Sequence, residues 1–334
     1  MTNRERFMRM LNFMPVDRMP YYEGSTWWNK TLRAWREQGL PKNLDKHGIY
    51  KYWGLDDHRQ VHLMNCEMEL GEYKLDGLDA YVRDEEDYER VLPILYPEDL
   101  LEDSGIADTL RGIKAAHDAG DFPVWITTEG FFWFPRVLFG IEPHLYSFYE
   151  NGDLYHRMCE DLTKYLTGLF EKFCSILVPD YVVVMEDMSY NHGPMISETM
   201  FEEFVGAYYD RVLPPLKERG IKIIVDTDGD FTLMVPWLSR HGVDGVSPCE
   251  RRAGNDVNQI RVDHPEFIMF GGFDKMLMRH GEEAMRSEFE RLAPVMRSGG
   301  FILSVDHQTP PDVTMEDYKI YRRLQDEYCG KNHL

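Results

Sequence analysis

From about residue 120 onward, short apolar and β-branched runs alternate with longer amphipathic stretches. The runs are residues 123–128 (PVWITT), 181–185 (YVVVM), 222–225 (KIIV), 243–246, 267–270 (FIMF) and 301–304 (FILS), with an earlier candidate at 19–22. Between them lie helices with readable ends. One opens at Ser197, a favourable N-cap, and stops at Gly220, a residue type suited to the position after a helix. Another runs from about 231 to 241 and stops at Gly242; a third spans 282 to just before Gly299. Thr2 and Glu5 read as a capping box for a first helix. Strands that alternate with helices and are apolar on both faces predict a parallel sheet covered on both sides.

Seven strands are countable, which makes a closed (β/α)8 TIM barrel the expected architecture and a doubly wound open sheet the alternative. The whole chain, 1–334, reads as one α/β barrel domain with an irregular N-terminal insertion at about 24–121, where 61–65 is a possible extra strand.

The residues just beyond each strand carry the chemistry. Residues 181–185 run into Glu186 and Asp187; 222–225 into Asp226-Thr227-Asp228-Gly229; 243–246 toward Cys249 and Glu250; 267–270 into Gly271-Gly272-Phe273-Asp274-Lys275; and 301–304 into Asp306-His307. In a parallel barrel every strand C-terminus lies on one face, which holds the active site. A single Asp after a strand is often only the N-cap of the next helix, as Asp230 and Asp274 can be. Several carboxylates on one face repel one another and call for a cation, a shared proton or solvent. Residues i and i+2 of an extended segment share a face, so Asp226 and Asp228 with His307 form an open three-ligand metal site. Glu186 is then a fourth ligand or a general base beside Asp187, and Glu250 and Asp274 face the ligand. Aromatic residues concentrate at Tyr21, Tyr22, Trp27 and Trp28, and again at Phe131, Phe132, Trp133 and Phe134. The second group comes directly after a strand. Core packing accounts for such groups in general, but placement at the mouth makes Tyr22, Phe131, Phe132 and Trp133 candidates for a pocket around a flat or methoxylated ligand.

Charge and composition narrow the partners. With 58 acidic against 37 basic residues the net charge is −21, and no Lys/Arg cluster of the kind phosphate contacts require is present. Nucleic acid and anionic membrane surfaces are therefore not expected partners. No apolar run approaches the length of a membrane span. The charged amphipathic N-terminus is unlike a signal peptide, and five scattered cysteines without a CxxC pair suit a reducing cytoplasm.

The opening TNRERFMRMLNFMPVDRMPYY and the segments MEDMSY, GPMISETMFEEFV, VDTDGD, HGVDGVSPCE, GGFDK and GGFILSVDHQTPPDV together resemble the uroporphyrinogen decarboxylase superfamily from about residue 2 to 325. The resemblance implies a (β/α)8 barrel and one of two activities: cofactor-free decarboxylation of uroporphyrinogen, or zinc-assisted methyl transfer to or from a corrinoid protein. The methyltransferases carry His-x-Cys-Gly after one strand and a Cys shortly before Pro-Pro after another. Asp226-Thr227-Asp228-Gly229 stands in the first place and His307, ahead of Pro310-Pro311, in the second, so oxygen and nitrogen donors replace thiolates. The decarboxylases have an arginine-bearing N-terminal segment, where this chain has Arg18 among added carboxylates, and an acidic site repels a polycarboxylate substrate. The resemblance thus implies a divergent member nearer the corrinoid-dependent methyltransferase branch. Its divalent metal, zinc first among candidates, is held by Asp226, Asp228 and His307. Its partners are a corrinoid protein and a small methyl donor. A metal-dependent hydrolase, lyase or isomerase, or a decarboxylase-like lyase, is the alternative.

Overall fold

A computed structural model describes residues 1–64 and 70–330. Asn65, the last residue of the expected 61–65 strand, and Cys66 lie outside the described residues. Seven strands form one parallel sheet: β1 (Arg59–His62), β2 (Val124–Glu129), β3 (Tyr181–Met185), β4 (Lys222–Asp226), β5 (Gly245–Cys249), β6 (Ile268–Phe273) and β7 (Phe301–Val305). Each pairs only with its neighbours in chain order. A doubly wound sheet reverses its strand order at a switch point; this one never does, so the winding is that of a barrel. Strands β2, β6 and β7 are buried along their whole length, as a sheet covered on both faces requires.

The closed eight-stranded ring is not formed among the described residues. Residues 19–23, expected in part as a strand, touch both edges of the sheet without joining a ladder. Asp56 N–H donates to Tyr21 O at 2.8 Å, just ahead of β1. On the other side, the Glu23 carboxyl accepts the Val305 N–H of β7. Pro20 has no N–H to give, and side chains supply further bonds: Asp56 Oδ2 accepts Tyr21 N–H at 3.0 Å, and the Asp56 carboxylate forks onto Arg18 at 2.6 and 2.8 Å.

Helices cover the outside. The longest, Gly152–Ile176, buries Tyr155, Met158, Cys159, Leu162, Leu166, Leu169 and Phe173 on one stripe, the spacing of an amphipathic helix. Ser197 caps its helix as expected, accepting Met200 N–H. The helix it opens is not one continuous rod, because a π turn at Glu202–Gly206 and Pro214 interrupt it. At Gly206 a Cβ would stand 2.6 Å from His241 Nε2, so the widened turn makes room for that ring, which bonds Glu202 and Asp210. The segment expected to be irregular contains the helices Asn29–Glu37, Lys46–Tyr52, Glu85–Leu95 and Ile106–Ala119. No described helix is long and apolar enough to cross a membrane.

Candidate active site

The mouth of the barrel is built by alternation at the end of β4. Asp226 points into the barrel interior. Thr227 points away, and its buried hydroxyl accepts the Met188 and Ser189 N–H groups at 2.9 and 3.2 Å. Asp228 faces the mouth again. There Asp228, Glu250 and His307, each half-buried, bring one ligand atom apiece within 4.8 Å of one another, with His307 Nε2 3.8 Å from Asp228 Oδ1. Burial raises the Asp228 pKa; His307 opposes that shift, and Glu250 and Asp187 add to it. The set therefore brings Asp228 and His307 together as the sequence suggests, with Glu250 as third member. Asp226 sits one residue pair deeper, its pKa driven well up by burial and then by Asp228 and Asp187.

Lys275 supplies the counter-charge. Its ammonium lies 2.9 Å from Glu250 Oε1 and 3.4 Å from Asp306 Oδ1. Asp306 is buried and also accepts the backbone N–H of Arg251 and of Lys275. Burial, opposed by Lys275, pushes its carboxyl up to about 6. Lys275 stands two residues beyond the end of β6, where sequence reasoning weighed only the carboxylates. Asp274 is the cap that its position allowed: it accepts Met276 N–H at 2.9 Å, pairs with Arg252 and turns away from the trio.

Glu186 and the aromatic group take a different place from the one expected. The Glu186 carboxylate is fully buried and accepts N–H bonds from Phe131 (2.9 Å), Phe132 (2.7 Å) and Trp133 (3.1 Å), and the Tyr209 hydroxyl at 2.6 Å. Burial still pushes its pKa up to about 7 against those four donors. Because the backbone of 131–133 wraps that carboxylate, the Phe131 and Phe132 side chains turn outward into the core. Phe131 packs on Tyr208 and Tyr209, and Phe132 on His144 and Phe148. They do not line the interior cavity. Trp133 lines a separate small recess beside Arg136. Asp187 stays near the mouth in a left-handed backbone conformation (φ 46°), clamped by Arg136 at 2.7 Å. A non-glycine residue held there stores strain that its surroundings must offset.

The barrel interior holds a cavity of about 200 Å³. Tyr22, Trp125, Tyr181 and Phe270 form its aromatic part; Trp125 and Tyr181 stack at 5.3 Å, and the Tyr22 and Tyr181 hydroxyls are 3.1 Å apart. Val183, Met185 and Ile224 are its apolar wall, and Gln60, His62, Thr127, Asp226 and Ser247 its polar one. Of the aromatic candidates named from sequence, Tyr22 alone lines this cavity. The period-two alternation 60/62, 125/127, 181/183/185 and 224/226 is the signal that identifies the others.

A sequential parallel β/α sheet, with ionisable groups gathered at the strand C-termini above an interior cavity, defines an enzyme of the β/α-barrel class. The family model of uroporphyrinogen decarboxylase (URO-D) matches residues 58–328. The chain belongs to that family, as a divergent member. A methyltransferase from Methanosarcina mazei superposes with a TM-score of 0.69 at 14% identity, over 98% of this chain and 99% of that one. At that identity the likeness is one of fold. No curated protein sequence gives a match.

Proposed function

We propose that this chain is a methyltransferase component that removes a methyl group from a small methyl ether and passes it to a corrinoid protein docked at the barrel mouth. The observation that carries this reading is the convergence of Asp228, Glu250 and His307 within 4.8 Å at the mouth of a URO-D-family barrel, next to a cavity sized for one ring. Two carboxylates and an imidazole are a donor set that suits zinc and other borderline divalent ions. The repulsion between Asp228 and Glu250 is what such an ion relieves. A divalent cation bound there supplies Lewis acidity toward the ether oxygen.

The chain's own residues do the rest. Tyr22, Trp125, Tyr181 and Phe270 hold the ring of the donor in a water-poor site. Asp226, facing the cavity below the trio, hydrogen-bonds the oxygen that keeps the C–O electron pair when the methyl leaves. Glu186 acts as a positioning residue: it fixes the 131–133 turn, and the helix after that turn carries the Arg136 that clamps Asp187.

The test is methylcobalamin formation from cob(I)alamin and a panel of methoxyaromatics, with metal-loaded protein. Turnover that disappears in Asp228→Ala and His307→Ala is expected; its absence across the panel in the wild type overturns the reading. A metal-dependent lyase or isomerase is favoured by one observation, the Glu250–Lys275–Asp306 chain, in which a carboxyl near 6 adjoins an ammonium. Substrate loss without methyl transfer distinguishes it. Porphyrinogen decarboxylation lacks such support, since Arg18 is bound to Asp56.

A further inference from the structure

The deep end of the interior cavity carries a pair of phenols. Tyr22 and Tyr181 both line the cavity, and their hydroxyl oxygens are 3.1 Å apart. Two hydroxyls that share one hydrogen bond use only one of their two O–H hydrogens in it. Among the described residues neither hydroxyl has a second partner, so one O–H is left to donate. Both side chains are buried, where an unmet donor is costly. A hydroxyl that already accepts one hydrogen bond also donates more strongly in the next.

The surroundings fix the pair and keep it in reach of a ligand. The Tyr181 ring stacks on Trp125 at 5.3 Å and on Phe7 at 5.5 Å, and Phe7 also packs on Tyr22 at 5.5 Å. Phe7 belongs to the first helix, Asn3–Leu11. That helix meets the chain just ahead of β2 and β7, where Arg4 N–H bonds Gly120 O and Gly300 N–H bonds Met10 O. It therefore closes the barrel at the end opposite the mouth. On the cavity side, Gly24 is part of the lining, and a Cβ there would stand 3.2 Å from the Tyr22 hydroxyl oxygen. The absent side chain leaves the space beside that oxygen open. Tyr181 opens β3, and Met185 ends it in register with Asp226. The phenols thus stand at the closed end, and Asp226 stands toward the trio. The lining holds no Lys or Arg, so an anion at the closed end would be buried without a counter-charge. A volume of about 200 Å³ holds one ring with substituents, given that a cavity of roughly 150 Å³ takes benzene.

We propose that the Tyr22–Tyr181 hydroxyl pair is a donor subsite that takes a neutral acceptor oxygen, such as a carbonyl, borne by the ring of a small aromatic ligand at the end away from the Asp228–Glu250–His307 trio. The assignment rests on reading the cavity as the site of the methyl donor, and it specifies which donors enter: monocyclic, uncharged, with an oxygen acceptor at one end and the methoxy group at the other. The hydrogen bond selects them over isosteres that lack the acceptor by about tenfold.

The experiment is calorimetric titration of the full chain with 4-methoxybenzaldehyde and with 4-methoxystyrene, which puts CH2 in place of the carbonyl oxygen. Wild type is compared with the double variant Tyr22→Phe, Tyr181→Phe. Removing both partners of a hydrogen bond while keeping their shape is close to neutral for the fold. Expected is about tenfold tighter binding of the aldehyde by the wild type, lost in the double variant, with styrene binding undiminished. Equal binding of the two probes by the wild type overturns the subsite. So does an aldehyde preference that survives the double variant, which would place the carbonyl against another group of the wall. Loss of both probes in the double variant overturns it too, since the phenols would then shape the cavity without selecting its ligand. The readout does not depend on turnover. Acceptor selectivity without methyl transfer from any donor leaves the subsite and removes the methyltransferase reading; methyl transfer without acceptor selectivity does the reverse.

Discussion

Gly130 has no side chain because the Glu186 carboxyl stands where its Cβ would be: a Cβ built there would overlap the carboxyl carbon and both oxygens. The close approach lets three successive N–H groups reach the carboxylate. Gly130→Ala is expected to cost about 1–3 kcal/mol from overpacking alone, and more where hydrogen bonds break. In a Glu186→Ala background the same change should cost distinctly less, because the space is vacated. Urea denaturation of the four proteins measures the coupling; additive costs would show that the two residues do not compete for one volume.

The same carboxyl makes stability pH-dependent. Its pKa rises from 4.5 unfolded to about 7 folded, with burial as the cause. The folded state therefore binds the proton more tightly. This contribution is fully present below pH 4.5 and declines as pH rises through 7, by about 3 kcal/mol in all. Unfolding free energies at pH 5 and pH 8 should show that decline in the wild type and a smaller one in Glu186→Gln. Equal slopes would assign the titration elsewhere.

Metal retention separates the trio from its neighbour. Asp228→Ala, Glu250→Ala and His307→Ala should each weaken binding by roughly 100-fold or more, beyond the 10–100-fold typical of outer partners. Asp226→Asn should retain the metal within that outer-partner range. Metal analysis after dialysis reads the difference, and loss in Asp226→Asn with retention in Glu250→Ala would restore the ligand set suggested by spacing.

Lys275→Met should act in the opposite direction on the same site. The ammonium 2.9 Å from Glu250 competes with any cation for that carboxylate. Its removal should tighten divalent-metal binding by about tenfold while lowering the stability of the metal-free protein. A competition assay with a chromogenic chelator tests this; weaker binding in the variant would mean that Lys275 orients Glu250 rather than competing for it.

The strand pattern was legible because β-branched runs such as 181–185 and 301–304 can bury both faces only in a parallel sheet. The strand ends were legible too, and with them Asp228 and His307. Residues 19–23 misled because extended backbone and ladder pairing look alike in sequence, whereas this segment is held by scattered single bonds to Asp56, Val305 and Cys329 and not by a run of pairs to one strand. Phe131 and Phe132 misled for a related reason. Position after a strand fixes where the backbone goes, but here a buried carboxylate from the next strand decides which way the side chains turn. Phe132→Ala should accordingly cost about 3–5 kcal/mol of stability, with no change in ligand preference, as measured by denaturation and ligand titration.

The unpaired seam between β1 and β7 also sets an order of events. Met19 N–H bonds Cys329 O at 3.0 Å, and Gly300 N–H bonds Met10 O at 2.8 Å. A segment that leaves the ribosome early finds these partners only after β7 and the helix Met315–Cys329 have been made. During synthesis, which proceeds from the N-terminus, Met10 and Met19 are made long before Gly300 and Cys329, so these bonds form late and this side of the wall is the last to be secured.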